Sequence, residues 1–185
     1  MSPEGVVVVD LDVEGAPKTV ERILGFTQEA VEGEDDPPCA SLGDGSEEDV
    51  GRRCNFYRAE AVPPNWAGGD EFDPEGYYGP PYALLQGRFA RDDTDQDWKM
   101  EREAAPSVVR GDVCLIGGGP HFFIALAPHP EWGAGHTVFG HVADAASMEV
   151  VDALASHPVF EEKWGETAVT PLVTKIPLAL AAVTE

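Results

Sequence analysis

The sequence predicts a mainly β fold: a closed or nearly closed barrel of short strands, capped by two helices and joined by long irregular loops. Three observations carry that expectation. Apolar and β-branched runs recur along the chain between turn-forming segments. Only two stretches keep apolar residues at helical spacing. Finally, 20 Gly and 16 Pro among 185 residues leave little room for long helices.

Each element can be argued in order. Residues 6–13, VVVVDLDV, read as a strand ending in a turn at Glu14-Gly15. In APKTVERILGF, Val20, Ile23 and Leu24 recur at helical spacing and Pro17 suits a first turn, which predicts a short amphipathic helix. Residues 28–53 are expected to form a loop, because nine carboxylates and no basic residue lie between Glu29 and Asp49. Strand composition resumes in NFYR, residues 55–58. A second insert, 62–81, is too rich in proline for a central strand. Further strands are expected at 82–86, 112–116, 122–127 and 137–142, with a third loop over 91–107 that carries Trp98. GGGPH, residues 117–121, reads as a tight hairpin between two of them. Residues 147–154 place Met148, Val151 and Leu154 on one helical face, and 176–183 read as a closing strand. No internal repeat is visible. At this length, with 43% hydrophobic residues, residues 1–185 are expected to form one domain with loop inserts near 28–53 and 62–81.

The charge balance excludes some partners. Thirty-four Asp and Glu against 12 Lys and Arg give a net charge of −22 and a pI near 4.3. A field of that sign repels phosphate backbones and anionic lipid, so neither nucleic acid nor a membrane surface is expected as a partner. A well-solvated surface and attraction to a basic partner both fit the acidity. No stretch of 18 uninterrupted apolar residues exists to span a bilayer, and no leader-type apolar region precedes Asp10.

Three cysteines make an odd count. Cys114 lies in the apolar run VCLI and reads as a small buried hydrophobe. Cys39 and Cys54 flank the acidic loop, and a disulfide between them would stabilise the fold by about 3 kcal/mol in the chain-entropy model. That pairing would place the protein in the secretory-pathway lumen or outside the cell; two free thiols would suit the cytoplasm, and both states stay open.

Common catalytic chemistries find little support. GGGP lacks the Lys-Ser/Thr of a phosphate loop, and Pro120 removes an amide donor. His121, His129, His136 and His141 form no HxH or HExxH pair, so no metal is expected; His129, between two prolines, reads as a loop residue and His141 as an outward strand position. There is no GxSxG elbow, and Asp35-Asp36 and Asp92-Asp93 read as solvated loop carboxylates. What remains is a binding surface of Phe123, Trp132, Leu84 and Gln86 with Arg58, which adjoins Phe56 and Tyr57. An arginine offers a planar fork of donors to a carbonyl oxygen. An ordinary core with a surface arginine would give the same composition.

The order of the segments resembles the cyclophilin-type peptidyl-prolyl cis-trans isomerases. The opening strand and PKT helix, NFYR at 55–58, LLQG at 84–87, HFFIAL at 121–126, EW at 131–132, HTVFGHV at 136–142 and MEVVDAL at 148–154 follow that family's sequence of motifs. The resemblance implies an eight-stranded antiparallel barrel closed by two helices, and an isomerase acting as a monomer on proline-containing peptides or proteins without a cofactor. It implies Arg58 as the catalytic donor, Gln86 as the residue that orients the peptide, and Leu84, Phe123, Trp132 and His136 as the pocket. Phe56 and His121 complete the candidate substrate-binding set. The departures are specific. Tyr57 replaces a histidine, a change expected to have little effect. Ala83 stands where the family has a pocket phenylalanine, Gly117 where it has a backbone-binding asparagine and His121 where it has a glutamine. The loop after Trp132 is one residue shorter and loses a leucine. Two readings therefore follow: a diverged isomerase with altered specificity, or a catalytically weak or inactive module that binds proline-containing peptides or proteins.

Overall fold

The computed structural model describes residues 5–27, 39–66, 78–89, 99–103 and 105–183. Most of the third loop with Trp98, the pairs Asp35-Asp36 and Asp92-Asp93, the first part of the insert 28–53 and the middle of the insert 62–81 lie outside the described residues.

Seven strands form one antiparallel sheet. They are β1 (Val9–Leu11), β2 (Asn55–Glu60), β3 (Leu84–Arg88), β4 (Asp112–Leu115), β5 (His121–Ala125), β6 (Thr137–Val142) and β9 (Pro171–Pro177), in the spatial order β1-β6-β4-β5-β3-β2-β9. A separate two-stranded ribbon pairs β7 (Glu162–Trp164) with β8 (Thr167–Val169). The fold is thus mainly β and antiparallel, with β1 and β9 as the outer strands of this order.

Strands β3, β4 and β5 are buried on both faces, so apolar residues stand at consecutive positions, 84–85, 113–115 and 122–125. Leu85, Val113, Leu115, Phe122 and Ile124 join the larger core, while Leu84, Cys114, Phe123 and Ala125 turn to a second, smaller cluster with Val108 and Val138. The helices cover the larger core. From α1 (Pro17–Gly25) come Val20 and Ile23; from α3 (Ala145–Ala155) come Val151 and Leu154. Pro17 opens α1 as its sequence suggests, but Ala16 gives it no side-chain cap. The Glu103 carboxylate does so instead, accepting the Lys18 and Thr19 amides at 3.0 and 2.7 Å. Asp144 caps α3 by accepting the Ser147 amide at 2.7 Å.

Three expectations are corrected, and one element is new. The acidic segment 28–53 contains a third helix, α2 (Glu47–Arg52), because Ser46 caps it and three carboxylates occupy its first turn, where the helix dipole favours them. The opening strand is confined to Val9–Leu11. The closing strand lies at Pro171–Pro177 rather than 176–183; beyond it the Leu178 and Leu180 amides donate to the carbonyls of Cys54 and Cys39. The β7–β8 ribbon was not expected. Its two-residue turn begins at Gly165, whose φ of +65° is a backbone that most side chains avoid.

Cys39 and Cys54 form a disulfide, their Cα atoms 5.1 Å apart, and both are fully buried. Cys114 is free and buried, and burial, with the Asp112 charge beside it, pushes its thiol far up, which leaves it an inert hydrophobe.

Candidate functional site

A bulge in β2 positions the site. Phe56 lies opposite Gly87 and Arg58 opposite Gln86, so Tyr57 is the extra residue. Bulges of this kind re-aim the side chains that follow them. Because Gln86 in turn lies opposite Phe123 on β5, Phe123, Gln86 and Arg58 stand in register across three neighbouring strands. With strands about 4.8 Å apart, that row is about 10 Å long.

At the Phe123 end the row meets an aromatic box. The Phe123 ring is packed edge-to-face against Trp132 at 5.2 Å and against His136 at 5.1 Å, and Trp132 and His136 are themselves 5.1 Å apart. Leu84 belongs to the same cluster. Trp132 and His136 are half-buried while Phe123 is fully buried, so the box has a closed floor and an open rim. His136 Nδ1 meets the Leu115 carbonyl at 3.1 Å, and burial holds the imidazole below its usual range.

At the other end Arg58 is held from several sides. Glu60, a fully buried carboxylate, meets its Nε at 2.7 Å and its Nη2 at 2.6 Å, while Nη1 donates to Gln86 Oε1 at 2.8 Å. Glu60 Oε2 also accepts the Tyr82 amide at 2.5 Å. A guanidinium has five N–H donors, so these contacts fix its plane and leave donors for a substrate. Gln86 is fixed as well, because its Nε2 donates to the Tyr57 hydroxyl, which meets His121 Nδ1 at 2.9 Å. The chain of contacts thus runs Glu60, Arg58, Gln86, Tyr57, His121.

Of the candidate residues, the structure brings Arg58, Leu84, Gln86, Phe123, Trp132 and His136 together along this row and places His121 at the end of its polar chain. It does not bring Phe56 there. That side chain turns into the larger core, edge-to-face against Phe122 at 5.6 Å. The Tyr57 hydroxyl links Gln86 to His121. Ala83 is fully buried in the larger core with a φ of +49°, and the Tyr82 ring, 5.7 Å from the Arg58 guanidinium, supplies an aromatic wall beside it.

Four of the five histidines each meet a different partner. His121 meets Tyr57, His136 the Leu115 carbonyl, and His141, exposed as expected, Asp112 at 2.9 Å. His129 is the surprise: it is fully buried, stacked on Trp132 at 3.7 Å with rings 4° from parallel, with Nδ1 on Glu131 at 2.8 Å. Flanking prolines suggested a loop; the loop is real, but the ring is its anchor. Sequence reasoning also missed Glu60, Tyr82 and Trp164, whose ring lies 5.2 Å from the Arg58 guanidinium.

A family model described as cyclophilin type peptidyl-prolyl cis-trans isomerase/CLD matches residues 1–175. No curated protein matches the chain.

Proposed function

We propose how the site works in this chain, which belongs to the cyclophilin-type peptidyl-prolyl cis-trans isomerase family: the protein catalyses rotation about X-Pro bonds, with Arg58 as its catalytic donor. The uncatalysed rotation is slow because the amide has partial double-bond character and a barrier of ~18–20 kcal/mol. Nothing is cleaved or transferred, so the chemistry asks only for a shaped pocket and a well-placed donor. The box of Phe123, Leu84, Trp132 and His136 holds the proline ring in an apolar surround. Arg58, one strand beyond Gln86, donates to the prolyl carbonyl and nitrogen, which favours the twisted amide over either planar form. Gln86 orients the peptide backbone, and His121 holds that glutamine in place through Tyr57.

The observation that carries this reading is the in-register row of Phe123, Gln86 and Arg58 with the guanidinium fixed by Glu60. A fixed donor does not have to reorganise as the amide twists. The seven-stranded sheet serves as the wall of the family's closed barrel in this reading. That is supported by one core receiving side chains from both edges, Val9 and Leu11 from β1 and Leu172 and Ile176 from β9. The protein acts as a monomer on proline-containing peptides or proteins, and its acidic field favours clients with basic segments.

Isomerisation of an Ala-Pro tetrapeptide panel tests the assignment. Wild type should accelerate the slow phase, and Arg58→Ala should lower kcat/KM by about 100-fold or more. Arg58→Lys should keep the charge opposite Glu60, hence the fold, yet lose most of the rate with the planar fork. No acceleration by wild type at micromolar protein would overturn the isomerase reading in favour of a binding module.

A further inference from the structure

Trp164 is one of the residues of the site that no motif announced. It ends strand β7 in the ribbon outside the main sheet, yet its ring reaches back to the row: 5.2 Å from the Arg58 guanidinium and 6.2 Å, centroid to centroid, from Tyr57. It is held there. The indole Nε1 donates to Glu162 Oε2 at 2.9 Å on the same strand, and the ribbon turn follows immediately at Gly165. Its environment is open all the same, with 41% of the residue exposed. A large aromatic at a rigid position that leaves so much of itself to solvent resembles a binding anchor more than a core residue.

The direction follows from the sheet. Phe123, Gln86 and Arg58 run from β5 through β3 to β2, and β9, which leads out of the ribbon, is the next strand beyond β2. Trp164 therefore lies past Arg58 on the side away from the proline box. A peptide whose proline ring sits in that box presents its prolyl carbonyl to Arg58. The group attached to that carbonyl is the next residue of the substrate, and the surface it meets is the open part of the Trp164 ring, with the Tyr82 ring also near the guanidinium, at 5.7 Å.

We propose that Trp164 is a specificity-determining residue, one that selects substrates with a large apolar, preferably aromatic, side chain immediately after the proline. The inference rests on the isomerase reading and adds to it the class of substrate. Stacking against Trp164 excludes water from Arg58 as well as adding contact area, so its effect falls on kcat/KM and not on affinity alone.

Protease-free exchange measurements by NMR on peptides Ala-Ala-Pro-Y, with Y as Ala, Lys, Leu or Phe, test it. Wild type should prefer Phe over Ala by roughly 3- to 10-fold in kcat/KM, the range expected of an aromatic pair. Trp164→Ala should bring that ratio close to one, and Trp164→Phe should restore most of it. A ratio unchanged in Trp164→Ala, an equal loss on every peptide, or a change that follows the residue before the proline instead would overturn the inference. Failure of wild type to catalyse any of the peptides would overturn the isomerase reading itself, and this inference with it, so the two failures are distinguishable.

Discussion

His129 sits between the edge of Trp66 at 4.9 Å and the face of Trp132 at 3.7 Å, and its two nitrogens meet Glu131 and the Ala83 carbonyl. Burial lowers its affinity for a proton below the ordinary 6.5, although Glu131 pulls the other way. His136, across the box, is lowered for the same reason. A base with a depressed native value binds its proton more readily when unfolded. Its contribution to stability is therefore complete above about pH 6.5 and is lost as the pH falls through the native value. Thermal melts at pH 7 and pH 5.5 should show wild type losing stability on acidification. His129→Phe, which keeps an aromatic ring on Trp132, should lose less over the same interval; an equal loss would show that His129 does not titrate there. Little of this was legible in the sequence. A histidine between prolines carries no sign of the tryptophan it will stack on, and Glu60 and Trp164 matter only through their approach to Arg58, which no local spacing reveals. Arg58, Gln86, Phe123, Trp132 and His136 were legible because each lies in a short motif.

At the scale of elements, the sequence pattern located strands by composition and lost them where composition is mixed. Residues 137–142 were read to the residue because TVFGHV is a β-type run, almost wholly buried, that starts just after the turn residues of GAGH. EKWGETAV, by contrast, is charged and exposed, and its identity as a ribbon comes from one glycine and the pairing of Trp164 with Thr167. Helix α2 was signalled by Ser46 with Asp49 three residues on, a capping pattern obscured by the surrounding acidity. Helix α1 presents the opposite problem: its start was legible in Pro17, but its cap, Glu103, lies 85 residues from Lys18 and no sequence window contains both. The Glu103 amide is itself anchored on Thr137 Oγ1 at 2.9 Å, so the cap ties α1 to the first residue of β6. Glu103→Ala should destabilise the protein by about 1 kcal/mol in urea unfolding, the usual cost of a lost cap. Glu103→Gln, which can still accept an amide, should cost less.

Across the whole molecule, the Cys39–Cys54 bond joins the acidic segment to the start of β2 and encloses α2. The carbonyls of the same two cysteines hold the tail after β9, through Leu180 and Leu178. Reduction should lower stability by about 3 kcal/mol, read as a drop in melting temperature with reductant. The pair Cys39→Ser with Cys54→Ser should melt like the reduced protein and respond no further to reductant. The pairing itself is the point that the cysteine spacing alone left open. Net charge and the absence of a long apolar run were plain from composition; the described helices include none long and apolar enough to cross a membrane.

The position of β9 beside β2 has a consequence for how the protein is made. Strand β2 carries Arg58, but its outer neighbour is drawn from Pro171–Pro177, more than a hundred residues later. A nascent chain that has emerged only as far as α3 holds Arg58 on a bare strand edge, with unpaired amides open to any passing strand. The site therefore matures late in synthesis, by a pairing between distant parts of the chain that is intrinsically slow. An isomerase of X-Pro bonds thus needs its last strand in place before its own site is whole.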